Sequence, residues 1–169
     1  AEGLTPWQWQ ATKEAVRQCD AVTDAENPDM VSFLGWERSQ LAQGGDPAKH
    51  YGHKNVMFRD TAEGMVPSRP ISSGPENTFR TLSQLPSAIR GLGWLAMSRL
   101  DLDGYQSLAK HFQTLGDMDE CAADDVRALP DDCYESAETP NELFEKLDQW
   151  GYEALVIPHG MAWGNTNPQ

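Results

Sequence analysis

Hydrophobic positions fall along this chain in two rhythms. Short apolar runs, Val31 to Trp36, Val56 to Phe58 and Glu153 to Ile157 (EALVI), are bounded by turn residues or charges, the pattern of buried strands. The second run sits in a strand predicted over Lys54 to Arg59. Two other stretches carry helical spacing. The first starts at Thr5, a good N-cap, with Pro6 in the first helical position, Gln8 closing a capping box and Leu4 and Trp9 spaced as a staple. Its predicted inner face is Ala11, Ala15, Val16 and Cys19, and it ends in the polar stretch Thr23 to Asp29. The second starts at Thr139-Pro140-Asn141-Glu142, buries Leu143, Phe144, Leu147 and Trp150, and stops at Gly151. Each helix precedes a strand, so the pattern predicts an α/β fold.

Between these elements the pattern weakens. Gln43 to Pro47 is loop chemistry, and Thr61 to Thr78, rich in Gly, Pro and Ser, predicts a long irregular segment with Pro67 to Ile71 extended. Ser83 to Leu100 has broken helical spacing around Gly91 and Gly93. Asp103 to Leu115 predicts a helix with Leu108, Phe112 and Leu115 on one face and His111 beside them as an ordinary surface or core histidine. Asp117 to Glu138 is strongly acidic. Neither Asp101-x-Asp103 nor Asp117-x-Asp119 continues into the ligand spacing of a calcium loop, so residues 101–138 are expected as a solvated, partly helical acidic insertion.

Charge narrows the partners. The formal net charge of −13 gives no basic face for a phosphate backbone or an anionic membrane surface, which excludes nucleic acid and membrane as expected partners. The sequence contains no signal peptide, transit peptide or spanning segment, so the expectation is a soluble protein. It starts with Ala, as a processed or excised product would. Cys19, Cys121 and Cys133 are odd in number and widely spaced. They form neither a disulfide framework nor a zinc ribbon, and a single bridge from Cys121 to Cys133 stays open.

Candidate chemistry lies at the predicted strand ends. Glu37 follows the first run, His50 and His53 precede the second, and His159 follows the third. Loops at strand ends carry the chemistry of many α/β proteins. A Glu with two His suits zinc, manganese or iron, which lower the pKa of bound water and polarise phosphoryl or carbonyl oxygens. Lys54, Arg59 and Arg69 follow closely in sequence and suit a small anionic substrate, with each also readable as a surface ion-pair partner.

The segments FLGWERSQ, GHKNVMFRD, VPSRPI and IPHGMAWG occur in that order, and this resembles the middle of a bacterial PHP-like family, domain-of-unknown-function family 3604. That family is related to the polymerase-and-histidinol-phosphatase superfamily, whose members hydrolyse phosphoesters. The resemblance implies part of a distorted β/α barrel with a two- or three-metal site at the strand ends. It implies Glu37, His53 and His159 as metal ligands; His50, Asn55, Arg59 and Arg69, close to them in sequence or beside the strands, are the weaker candidates for substrate contacts. It also implies a bacterial protein of the cytoplasm or periplasm. The superfamily's His-x-His motif is missing, since His50 and His53 stand three apart, and its downstream Asp and His motifs are missing too. The chain is therefore expected as either a single α/β domain over residues 1–169 or a central fragment of such a barrel. The function expected is a portion of a metal-dependent phosphoesterase-type hydrolase. Its metal site is expected to be incomplete and at most weakly metallated in this chain, to be completed by the rest of the barrel or by another chain. The alternative is a non-catalytic α/β binding or scaffolding module that has lost the site.

Overall fold

The computed structural model describes residues 5–22, 26–27, 29–40, 51–73, 86, 114, 118–122 and 125–159. Helix α1 spans Pro6–Ala21. Its cap is the predicted one: the Thr5 hydroxyl accepts from the Gln8 backbone N–H, and the Gln8 side chain accepts from the Thr5 N–H at 2.9 Å. The inner face differs from the predicted one. Ala11, Ala15 and Cys19 are exposed, and Trp9, Lys13 and half-buried Val16 face the core. Lys13 lays its aliphatic stem inside while its ammonium reaches Glu63 Oε1 at 2.9 Å, so a cation occupies a core-facing turn. Trp9 is fully buried, donates Nε1–H to the Pro67 carbonyl at 2.8 Å and meets Trp36 edge to face at 5.5 Å.

The main sheet has three strands, β1 (Leu34–Gln40), β2 (Gly52–Phe58) and a C-terminal strand, Ala154–His159, in the order β1, β2, C-terminal strand. Both pairings are antiparallel. Strict alternation runs through β2: Lys54, Val56 and Phe58 point inward, and His53, Asn55 and Met57 lie on the more open face. In β1 Leu34, Trp36 and Arg38 point inward. Gly35 allows the two strands to close up, because a Cβ there would collide with the Val56 carbonyl oxygen. A second, two-stranded parallel sheet joins β3 (Ile71–Ser72) to β4 (Glu135–Ser136), so the C-terminal strand is β5. Helix α2 (Pro140–Trp150) packs Leu143, Leu147 and Trp150 into the same core as Trp9, Trp36, Val56 and Phe58, and Gly151 ends it in the left-handed region, φ 68°. Phe144, predicted inside, is exposed.

This is a mixed α/β fold with two α-helices and two small sheets among the described residues. The described strands do not close a barrel, and the three-stranded sheet is antiparallel where a β/α barrel is parallel. The strand boundaries also move. Residues 31–33 precede β1, which instead continues through Glu37 to Gln40, and β5 continues through His159. Polar side chains sit on these strands because one face of the sheet is open. No described helix is long and apolar enough to cross a membrane.

The expected acidic insertion is only partly one. Asp119, Glu120, Asp125, Asp131 and Asp132 are exposed. Val126 (in a 3-10 turn, Val126–Ala128), Tyr134, Glu135 and Ala137 are instead buried. The helix predicted over Asp103 to Leu115 lies outside the described residues apart from Thr114. Cys121 and Cys133 form a disulfide, and Tyr134 closes the same loop by exchanging backbone bonds with Asp119 and Cys121 at 2.8 Å each.

Arg69, a candidate substrate contact by sequence, is 2 % exposed and holds this half together. Its Nε–H donates to Glu135 Oε2 at 2.9 Å, Nη1–H to the Pro130 carbonyl at 2.8 Å and Nη2–H to the Val126 carbonyl at 2.6 Å, and the guanidinium lies over the Trp150 ring at 5.4 Å. The structure thus places this guanidinium in the core, with its hydrogen bonds directed to Glu135 and two backbone carbonyls. Burial pushes the Glu135 carboxyl above the usual range, opposed first by Arg69 and then by Lys146. Removing only one partner strands the other in the core. Arg69→Met should therefore cost about 3–5 kcal/mol in urea unfolding, and adding Glu135→Met should recover most of that loss. Reduction of the Cys121–Cys133 bridge, whose cysteines are 12 residues apart, should lower stability by about 2–4 kcal/mol in the same assay.

A histidine and carboxylate cluster on the open face of the sheet

Register decides the geometry of this face. Glu37 pairs with Asn55, which pairs with Ile157, and Ser39 pairs with His53, which pairs with His159. Side chains in these two neighbouring rows meet diagonally across the open face. Glu37 Oε1 lies 2.7 Å from His53 Nδ1 and 3.5 Å from His159 Nε2. Ser39 Oγ is 3.1 Å from the same His53 Nδ1, and Asn55 Oδ1 is 3.0 Å from His159 Nε2. The two imidazoles stand edge to face, 5.6 Å between centroids. The structure thus brings Glu37, His53 and His159 together, not as loop groups at strand ends but as in-strand residues on one face.

The other sequence candidates part company. Asn55 belongs to the cluster as a partner of His159. Arg59 follows the opposite end of β2, about 20 Å along the strand from His53 at about 3.4 Å per residue, where it pairs with Asp60 and Glu153. A shallow apolar hollow of about 360 Å³ at that end, with Phe33, Met57 and Leu155 beside Arg59, is separate from the histidines. Lys54 is buried on the inner face. It donates to the Tyr51 carbonyl at 2.6 Å, and its pKa is lowered first by burial and then by Arg38. Arg69 is in the core, and His50 lies outside the described residues. Ser39 was missed by sequence reasoning. Its signal was the two-residue alternation from Glu37, which is meaningful only once β1 is known to extend past Trp36.

The donors fit a borderline metal ion in kind but not in arrangement. Tetrahedral ligation at about 2.0–2.1 Å separates donor atoms by about 3.3 Å, and the Glu37–His53 distance of 2.7 Å is instead that of a hydrogen bond. Among the described residues no group of three or more His, Cys, Asp or Glu side chains could hold a metal ion. As it stands, the Glu37 carboxylate is hydrogen-bonded to His53 and lies beside His159, so one carboxylate meets two imidazoles. Comparison with family models, with characterised proteins and with solved structures finds no match.

The His53 hydrogen bond holds the Glu37 carboxyl below its usual pKa, with burial opposing and the His159 charge reinforcing the effect. Lowering of this kind stabilises the fold above the ordinary glutamate value, and the contribution is lost as pH falls through the folded-state value. Carbon-detected titration should place the Glu37 midpoint below the ordinary value of about 4.3, and His53→Ala should return it towards that value.

Proposed function

We propose that this face is one part of a metal-dependent hydrolase site of the phosphoesterase class, with Glu37, His53 and His159 as its donors from this chain. The observation that supports this reading is their convergence: three donors from three strands reach one point on an open face. A bound ion would supply Lewis acidity and an activated water. The chain's own residues hold the two imidazoles and the carboxylate in place, with Glu37 engaged through Oε1 towards both histidines. Further ligands must come from outside the described residues, from the remainder of a longer PHP-like barrel or from another chain. The barrel remains part of this proposal, and in it β1, β2 and β5 would form an antiparallel portion. The substrate expected is a small anionic ester.

A second reading, a non-catalytic binding or scaffolding module, is favoured by the direct Glu37–His53 hydrogen bond, which already satisfies the donors without an ion. Zinc and manganese titrations separate the two. The hydrolase reading expects weak binding by this chain, lost in His53→Ala and His159→Ala, and phosphoester turnover near background. Binding unchanged in both variants, or no binding at all, sinks it in favour of the module. Robust turnover that vanishes in His53→Ala would show instead a complete enzyme.

A further inference from the structure

We infer that the free edge of β5 pairs antiparallel with β5 of a second copy of this chain, about a two-fold axis at Val156. The pairing joins two three-stranded sheets into one continuous sheet, and it does not depend on the hydrolase reading. β5 stands at the end of the sheet order, and among the described residues no strand pairs with its other edge. Hydrogen-bond phase fixes which backbone groups face that edge. The Arg59 N–H donates to the Glu153 carbonyl, and bonded rows of an antiparallel ladder recur at every second residue. Glu153, Leu155, Ile157 and His159 therefore turn their backbone groups towards β2, and Ala154, Val156 and Pro158 turn theirs away. Pro158 has no N–H to offer on the outward side, the place a sheet allows proline. The outward row keeps the N–H groups of Ala154 and Val156 and the carbonyls of all its residues.

The occupant that fits this edge is another β5. Bare edges are commonly blunted by charge, yet Ala154 to Pro158 carries none. Leu155 and Ile157 are 59 % and 38 % exposed on the same face as Met57. With the axis at Val156, Leu155 of each copy lies opposite Ile157 of the other, and Glu153 lies opposite His159. Apolar thus meets apolar and a carboxylate meets an imidazole, the self-complementarity that a two-fold contact requires. Val156 N–H meets the Val156 carbonyl in both directions, and Ala154 N–H meets the Pro158 carbonyl, which needs no donor from proline. Moving the axis to Leu155 would set Glu153 against Ile157 and lose the match. The net charge of −13 on each copy opposes association. At about 0.15 M salt that repulsion is screened beyond about 8 Å, and β5 itself places no acidic side chain at the seam.

The experiment is sedimentation velocity of the full chain at about 0.15 M salt, from micromolar to millimolar concentration, with amide hydrogen exchange at both ends of that range. Expected is a shift to twice the mass of one chain as concentration rises. The Ala154 and Val156 amides, which face away from β2, should exchange fast in the dilute sample and become protected in the concentrated one. Leu155→Lys should abolish the dimer by setting an ammonium against Ile157 of the other copy. Phe33→Lys, at an exposed residue of the same apolar hollow but beside β1, should leave it intact. Each lysine also lowers the net negative charge, so loss of the dimer cannot come from added repulsion. Circular dichroism checks the folding of each variant, and Ile157→Lys carries the same expected loss where Leu155→Lys fails to fold. The mass of one chain at every concentration overturns the pairing. So does a dimer whose Ala154 and Val156 amides exchange as fast as in the dilute sample. A dimer kept in Leu155→Lys and lost in Phe33→Lys overturns it in favour of stacking between open faces.

Discussion

The buried pair of Arg69 and Glu135 is the interaction on which the smaller half of this structure depends. Arg69 carries a fixed charge in a water-poor setting, and a carboxylate plus a set of carbonyls meet it there. Those carbonyls belong to Val126 and Pro130, inside the loop that the Cys121–Cys133 bridge closes. One planar cation thus gathers the irregular segment before β3, the disulfide loop and β4. The face of Trp150 seats it against the end of α2. The short β3–β4 pairing could not organise this region unaided, since two residues per strand make few ladder bonds.

The main sheet follows from the central position of β2. Its inner face, with Val56 and Phe58, meets Trp36, and Trp36 meets Trp9 on α1. Arg38 and Lys54 extend the inward row. Arg38 donates to the Ala137 and Ser72 carbonyls, and Lys54 to the Tyr51 carbonyl, so these charges are carried inside by hydrogen bonds. With the inner face committed to this packing, alternation sends Glu37, His53, Asn55 and His159 to the opposite side. The cluster on the open face is the counterpart of the core on the other, and a one-residue slip of β1 against β2 would dissolve both.

Local signals in the sequence were sufficient for the helix starts. Thr5, Pro6 and Gln8, and later Thr139 and Pro140, act on backbone groups within a few residues of themselves, so no distant partner is needed to read them. Gly151 ends α2 for a comparable reason, its left-handed conformation. The three apolar runs likewise marked the three main strands, although not their boundaries. The strands outran the apolar runs because Glu37 to Gln40 and Pro158-His159 pair through backbone groups, with Glu37, Ser39 and His159 on the open face and Arg38 held inside by hydrogen bonds.

By itself the sequence determined the two described α-helices, the approximate places of the three main strands, and that a Glu and histidines accompany those strands, whereas the short β3 and β4 carried no such signal. It could not determine which strand pairs with which or in what register, because backbone ladders carry little residue identity. Tertiary structure alone decided that Glu37 lies opposite Asn55 and beside His53, since that depends on chain segments 16 and more residues apart. It also decided the fates of the charged residues. Lys13 and Arg69 look like surface cations in any local window, yet both are buried because Glu63 and Glu135 meet them from far along the chain. Whether a charge lies inside depends on its partners, and proximity in space between distant residues is a property of the packed fold.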